Sequence, residues 1–130
     1  DSYLYDKIYK STRPIKSLLL DQEIVAGLGN IYVDEVLYLS GIDPRRTGKD
    51  VTMVETGILA NNCRAVLKKA IILGGTTIRS YTSSLGITGR FQNELNVHTK
   101  NGLPCHKCGS LIEKIKVGGR GTYYCPLCQK

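Results

Sequence analysis

The chain has 130 residues, 42% of them hydrophobic, which suits one ordinary domain or a small domain joined to a mini-domain. No apolar run approaches the ~20 residues that a membrane-spanning helix needs, and no secretory pattern opens the chain, so a cytoplasmic setting is expected. The formal charge is +7 and uneven: residues 96–130 hold six cations against Glu113 alone, a net +5, whereas residues 1–95 hold +2. A short basic tail suits a polyanion such as nucleic acid, or else serves as a solvated, solubilising surface. The chain opens on Asp1 and its single methionine is Met53, so a fragment of something longer is expected.

In chain order, the first expected element is a short helix over Tyr3–Lys10. Pro14 suits the first turn of the next helix, where its missing N–H would be unpaired anyway. Ile15, Leu18, Leu19, Gln22 and Val25 recur at helical spacing with one polar interruption, and Gly27 is placed to end that run. Another helix is expected over Ile31–Leu39, with Asn30 at its cap, Gly41 at its end and "IDPRR" as the exit turn. A long helix follows from about Val51 to Leu73. Leu59, Cys63, Val66, Ala70 and Leu73 share one face of it, Thr52 and Glu55 can form a capping box, and Gly74-Gly75 stops it. Cys63 is expected as a buried helix cysteine. These stripes are satisfied by an internal core, so a monomer is expected. The stretch "GGTTIRSYTSSLGITGRF", residues 74–91, fits neither a helical nor a strand period and is expected as a mobile loop.

The chain end is of another kind. "CHKC" at 105–108 and "CPLC" at 125–128 stand sixteen residues apart, a spacing that points to zinc. Each C-x2-C pair turns two thiolates toward one point, and Cys105, Cys108, Cys125 and Cys128 together close a tetrahedral structural site. "LIEKIKV" and "GTYYC" alternate well enough for a hairpin with "GGRG" at its tip. A segment of this size builds too little core to fold without metal. Two disulfides or a rubredoxin-like iron site are the rival uses of the same cysteines. His98 and His106 are expected to be exposed or to face nucleic acid, since four thiolates already fill the shell.

One further stretch calls for chemistry. "VAGLGNIYVDE", residues 25–35, places a glycine-rich turn before a helix. Tyr32 stands where a dinucleotide fingerprint needs its third glycine, no Walker lysine is present, and a helix rather than a strand precedes the turn. What remains is a helix–turn–helix-like joint whose backbone N–H groups and Asn30 amide can hold an anion. Simple capping of the following helix is the alternative.

"IKSLLLDQEIVAGLGNIYVDEVLYLSGIDPRR", followed at the chain end by "CHKCGSLIEKIKVGGRGTYYCPLCQK", resembles the formamidopyrimidine-DNA glycosylase family of bacterial repair enzymes for oxidised purines. The resemblance runs from about residue 10 to the last residue and is weakest over 74–91. It implies a mainly α fold: a helix–two-turn–helix DNA-binding domain over 1–95, carrying the loop 74–91, then a small β-hairpin four-cysteine zinc finger over 96–130. It implies one structural zinc and, as partner, double-stranded DNA with a damaged base or abasic site. The implied DNA-binding set is Lys16, Gly29, Asn30, Ile31, His98 and Arg120. Asn30 would contact a phosphate beside the damaged nucleotide. Arg120, at the hairpin tip, would contact phosphates and take part in the second elimination step. Residues 81–91 would close over the flipped base. His98 departs from the pattern, because many members carry a phosphate-reaching tyrosine there.

The family's nucleophile is an N-terminal proline amine followed by a glutamate, on a β-sandwich domain that nothing in this chain resembles. Lys16 and Lys100 are poor substitutes, since an exposed lysine stays protonated near neutral pH. Binding without base excision is therefore expected of these residues alone. The alternatives are an endonuclease VIII-type fragment, a non-enzymatic zinc-ribbon module, and an iron-containing electron carrier.

Overall fold

A computed structural model describes residues 2–21, 29–74 and 95–130, with side chains for 3–21, 29–69 and 95–130. The elements are α1 (Ser2–Ile8), α2 (Ile15–Leu20), α3 (Asn30–Ser40), a short 3-10 helix (Gly48–Asp50), α4 (Met53–Gly74), β1 (Glu113–Val117) and β2 (Arg120–Tyr124). No helix among the described residues is long and apolar enough to cross a membrane. Gln22, Val25, Gly27 and nearly all of the 74–91 stretch lie outside the described residues, as do the side chains of Ala70 and Leu73.

Helix α1 ends at Ile8, two residues before the expected Lys10, and it buries Leu4 and Ile8. Pro14 lies outside α2 rather than in its first turn: it is the N-cap, at φ −59°, ψ 142°. The reason is the segment that leaves α3, which crosses the start of α2. Arg46 and Pro44 offer their carbonyls to the N–H groups of Ile15 (2.6 Å) and Lys16 (3.3 Å), which would otherwise lack acceptors. Gly48 makes that crossing possible. A Cβ there would stand 2.5 Å from the Ile8 carbonyl oxygen and 2.7 Å from Leu18 Cδ1. Helix α2 then stops at Leu20, with Asp21 extended.

Gly29, not Asn30, is the N-cap of α3, and Gly41 closes the helix in the left-handed region. Asn30 is the first helical residue, and its side chain reaches out to the hairpin instead of back to its own helix. The expected capping box forms at α4. Thr52 N–H donates to Glu55 Oε1 (2.9 Å) and Glu55 N–H donates to Thr52 Oγ1 (3.1 Å).

Arg46 grips the same carboxylate with two bonds, Nη1–Oε2 at 2.8 Å and Nη2–Oε1 at 2.7 Å. Hydrogen bonding from Arg46, against a smaller opposing effect of burial, lowers the Glu55 pKa from its ordinary 4.5 to about 2. A carboxylate depressed on folding contributes stability that is fully present above its unfolded pKa and is lost as pH falls through the folded one. Glu55→Gln is therefore expected to lower stability at neutral pH and to flatten the loss between pH 4.5 and 2. Urea unfolding across that range checks this, and an unchanged acid limb would refute it.

Helix α3 is the centre of the molecule and packs against α4, α2 and β2. Val33, Val36 and Leu37 join Ile8, Ile15, Leu18, Leu19, Leu59, Cys63 and Val66 in the main core. Cys63 is buried as expected, and burial pushes its thiol up to about 11. Tyr38 instead joins Val97, Cys105, Ile112 and Cys125 in a second cluster under the chain end. One helix thus feeds both cores.

Strands β1 and β2 pair antiparallel, with Val117 opposite Arg120 and Glu113 opposite Tyr124. Gly118 and Gly119 make the turn at φ 58° and 82°, the pair of positive φ values that a two-residue hairpin turn demands. The tip rests on α2: a Cβ on Gly118 would lie 2.5 Å from Ser17 Oγ.

Candidate metal centre and nucleic-acid interface

The four cysteines meet. The sulfurs of Cys105, Cys108, Cys125 and Cys128 all lie within 4.8 Å of one another, with Cys105–Cys128 at 3.7 Å and Cys108–Cys125 at 3.4 Å. A disulfide needs about 2.05 Å, whereas sulfurs at about 2.3 Å around one tetrahedral ion stand roughly 3.8 Å apart. Both knuckles turn N–H groups onto sulfur, from Lys107 to Cys105 (3.3 Å) and from Cys128 to Cys125 (3.4 Å). Burial raises the Cys105 thiol, but the Tyr38 hydroxyl and nearby backbone N–H groups overcome it and bring the thiol to about 6. Burial and the neighbouring sulfurs push Cys128 up to about 12. Four like charges this close need a cation among them, so the donor set fits a divalent, thiophilic metal.

The cluster is bolted to the helices. The Tyr38 hydroxyl lies 3.2 Å from Cys105 Sγ. The Gln129 side chain accepts the Cys125 N–H (2.7 Å) and donates to the Ile42 carbonyl (3.0 Å), and Lys130 N–H donates to the Gly41 carbonyl (3.0 Å).

Beside it, two polar junctions join α3 to the chain end. At the first, the Asp34 carboxylate accepts Lys16 Nζ at 2.5 Å and the Tyr123 N–H at 3.2 Å, and it pairs with His98 Nδ1 at 2.7 Å. Lys16 also donates to the Gly121 carbonyl (3.3 Å), and Asn30 Nδ2 donates to that same oxygen (3.2 Å). At the second junction, Glu35 accepts the backbone N–H groups of Asn96 (2.7 Å), Val97 (2.9 Å) and His98 (2.9 Å), plus Asn96 Nδ2 (3.0 Å).

Asn30 and Arg120, predicted to act together, are brought together: the Asn30 amide is bonded to the residue that follows Arg120. Arg120 is exposed and has no ion-pair partner among the described residues. With Arg13, Ser17, Leu20, Asp21 and Gly118 it lines an open cleft of about 220 Å³, where Arg13 is held by Asp21 at 3.1 Å. The Asn30 and Ile31 N–H groups have no intrahelical acceptor, since the ladder begins with Val33 donating to Gly29 (3.0 Å). Among the described residues nothing lies within 4 Å of where a Cβ on Gly29 would be, and its φ is −87°.

Two expectations are corrected. Lys16 is not an exposed lysine: its side chain is wholly buried against Asp34. Burial lowers its pKa, Asp34 opposes that, and the nearby positive charge of Arg120 adds to it. His98 is likewise buried, packed edge-on against Tyr123 at 4.8 Å with one ring nitrogen committed to Asp34, whereas His106 is exposed as expected. Asp34, Glu35, Tyr38 and Gln129 are the site residues that the sequence reading missed.

The fold and site together define a helical unit with a four-cysteine finger docked on its central helix. Residues 1–82 match the family described as the formamidopyrimidine-DNA glycosylase H2TH domain, and residues 102–130 match the one described as the zinc finger found in FPG and IleRS. The chain belongs to the formamidopyrimidine-DNA glycosylase H2TH family. A formamidopyrimidine-DNA glycosylase of Lactococcus lactis is 51% identical over 125 residues, covering 96% of this chain and 46% of the relative. One from Bacillus cereus is 49% identical over 127 residues, covering 98% and 46%. The chain thus spans about half the length of the relatives it matches. Among solved structures, a Lactococcus lactis Fpg in complex with abasic-site-containing DNA superposes with a TM-score of 0.88 at 46% identity, covering 99% of this chain and 47% of that one. A Lactococcus lactis FPG with DNA containing FAPY-dG gives 0.87 at 47% identity, covering 99% and 46%.

Proposed function

We propose that these residues are the DNA-gripping half of a bacterial base-excision-repair glycosylase and AP lyase acting on oxidised purines. They bind, as a monomer in the cytoplasm, duplex DNA that carries a damaged base or abasic site. Residues 1–95 are the helix–two-turn–helix domain, and residues 96–130 are the finger, held by one structural zinc on Cys105, Cys108, Cys125 and Cys128. The observation that carries the reading is the meeting of the Asn30 amide with the strand that bears Arg120. It sets an always-charged guanidinium, a neutral donor and the N–H groups at the start of α3 within reach of one phosphodiester strand. No described residue crowds the Cβ position of Gly29, which supports an approach of that strand to the backbone. We assign the remaining ring nitrogen of His98 to a phosphate of the same strand. Lys16 acts from beneath the hairpin. Arg120 also screens the phosphate that departs in strand scission.

No base excision is expected of these residues by themselves. Lys16, the buried lysine among the described residues, has its nitrogen committed to Asp34 and Gly121, and so offers no free amine to a sugar carbon. Arg120→Ala is expected to weaken binding to an abasic-analogue duplex about tenfold and to lower the salt slope by about 1. Asn30→Ala is expected to weaken binding with little change in slope, because it neutralises no phosphate. Fluorescence anisotropy at several salt concentrations reads both, and undiminished affinity in the two variants would refute the proposal.

A further inference from the structure

Asp34 has no part in the reading above, yet three separate segments converge on its buried carboxylate. Lys16 comes from the first turn of α2, His98 from the stretch that leads into the finger, and the Tyr123 N–H from β2. Among the described residues the sheet has two strands, and one edge of β2 has no strand partner there. The helices supply those partners instead. Asp34 takes the Tyr123 N–H, and Lys16, itself held by Asp34, donates to the Gly121 carbonyl alongside Asn30. Strand β2 is thereby pinned at two positions, residues 121 and 123, and Arg120 is the first residue beyond the pins. A strand advances about 3.3 Å per residue and alternates its faces, so a slip of one position at these pins would shift Arg120 by more than a hydrogen bond tolerates and turn it to the other face.

We propose that Asp34 is a positioning residue for the DNA grip: it fixes the strand carrying Arg120 at a set offset from Asn30 and touches no nucleic acid itself. The inference rests on the DNA-binding reading, and it assigns Lys16 a share of the same task. The pair is fully desolvated, and Asp34 supplies the charge that keeps Lys16 in place beneath a hairpin whose own tip is cationic.

The test is a double-mutant cycle on the metal-loaded chain, with wild type, Asp34→Asn, Arg120→Ala and the double variant titrated against an abasic-analogue duplex at one salt concentration. Asparagine keeps the size of the side chain and removes its charge. Asp34→Asn is expected to weaken binding about tenfold when Arg120 is present and less than about twofold when it is alanine, because a displaced guanidinium matters only if there is one. A purely structural role would give the same loss in both backgrounds, and that result overturns the proposal, as does no loss at all. Arg120→Ala without effect would overturn this inference alone, whereas undiminished binding in both Arg120→Ala and Asn30→Ala overturns the DNA reading as well, which keeps the two failures apart. Metal content and thermal unfolding are followed in parallel. Where Asp34→Asn does not fold, Lys16→Gln replaces it, because that variant leaves Asp34 paired with His98 and Tyr123 while removing one donor from Gly121. Its expected pattern is the same at smaller size, and equal losses in both Arg120 backgrounds overturn the proposal.

Discussion

Stripping the metal from Cys105, Cys108, Cys125 and Cys128 is expected to unfold residues 102–130 and abolish duplex binding, while the helices remain formed. The cluster beneath the finger holds Tyr38, Val97, Cys105, Ile112 and Cys125, and two of those five are the metal-binding thiols themselves. Little apolar burial is left to oppose the conformational entropy of the segment. A structural zinc contributes about 10–16 kcal/mol of apparent binding energy in small fingers, as much as the whole stability of an ordinary domain. Its loss therefore decides whether the finger folds. The main core of Leu18, Leu19, Val33, Leu37 and Leu59 shares none of these ligands, so the helical signal should survive. The consequence for binding follows from the hairpin: Arg120 stands on β2, which holds its place only while the finger is folded. Chelator titration followed by circular dichroism, amide exchange and duplex binding reads all three effects, and added zinc should reverse them. Amides of 102–130 that stay protected without metal would overturn the expectation.

The metal centre was legible because C-x2-C is a local signal that survives ignorance of the fold. The α4 capping box was legible for the same reason, with both partners three residues apart. The place of Pro14 was not legible. It depends on residues 44–48 arriving from beyond α3 to satisfy the first turn of α2, an event that no local pattern announces. The burial of Lys16 and His98 was hidden likewise, because a charged residue shows its charge in a sequence but not its partner. Their shared partner Asp34 lies 18 and 64 residues away. One clue was available. "NIYVDEVLYL" sets two adjacent acids in the middle of an otherwise apolar helix that has no polar face to carry them. Such acids are buried with partners or not in a helix at all. By that reasoning the sequence marks Asp34 and Glu35 as buried acids with partners.

Glu35→Gln is expected to destabilise the chain by about 3 kcal/mol, a large effect for an isosteric change. Both carboxylate oxygens are fully used: Oε1 takes the Asn96 N–H and side-chain amide, and Oε2 takes the N–H groups of Val97 and His98. Glutamine keeps one acceptor and turns the other into a donor. Whichever way the amide sits, its NH2 faces N–H groups that have nothing to donate to. Each orphaned buried donor costs roughly 1–3 kcal/mol, and the charge assistance of the remaining bonds is lost as well. Residues 96–98 follow directly on Leu95 of the main core and include Val97 of the second cluster, so they join the two. The damage should therefore fall on how the finger sits on α3 more than on its metal. Urea unfolding is expected to show the loss of stability, while zinc stoichiometry stays the same and duplex binding weakens. The outcome separates two states of this turn in solution. A cost below about 0.5 kcal/mol would mean that water replaces Glu35 at the three N–H groups, and the turn would then be an open surface rather than a sealed joint.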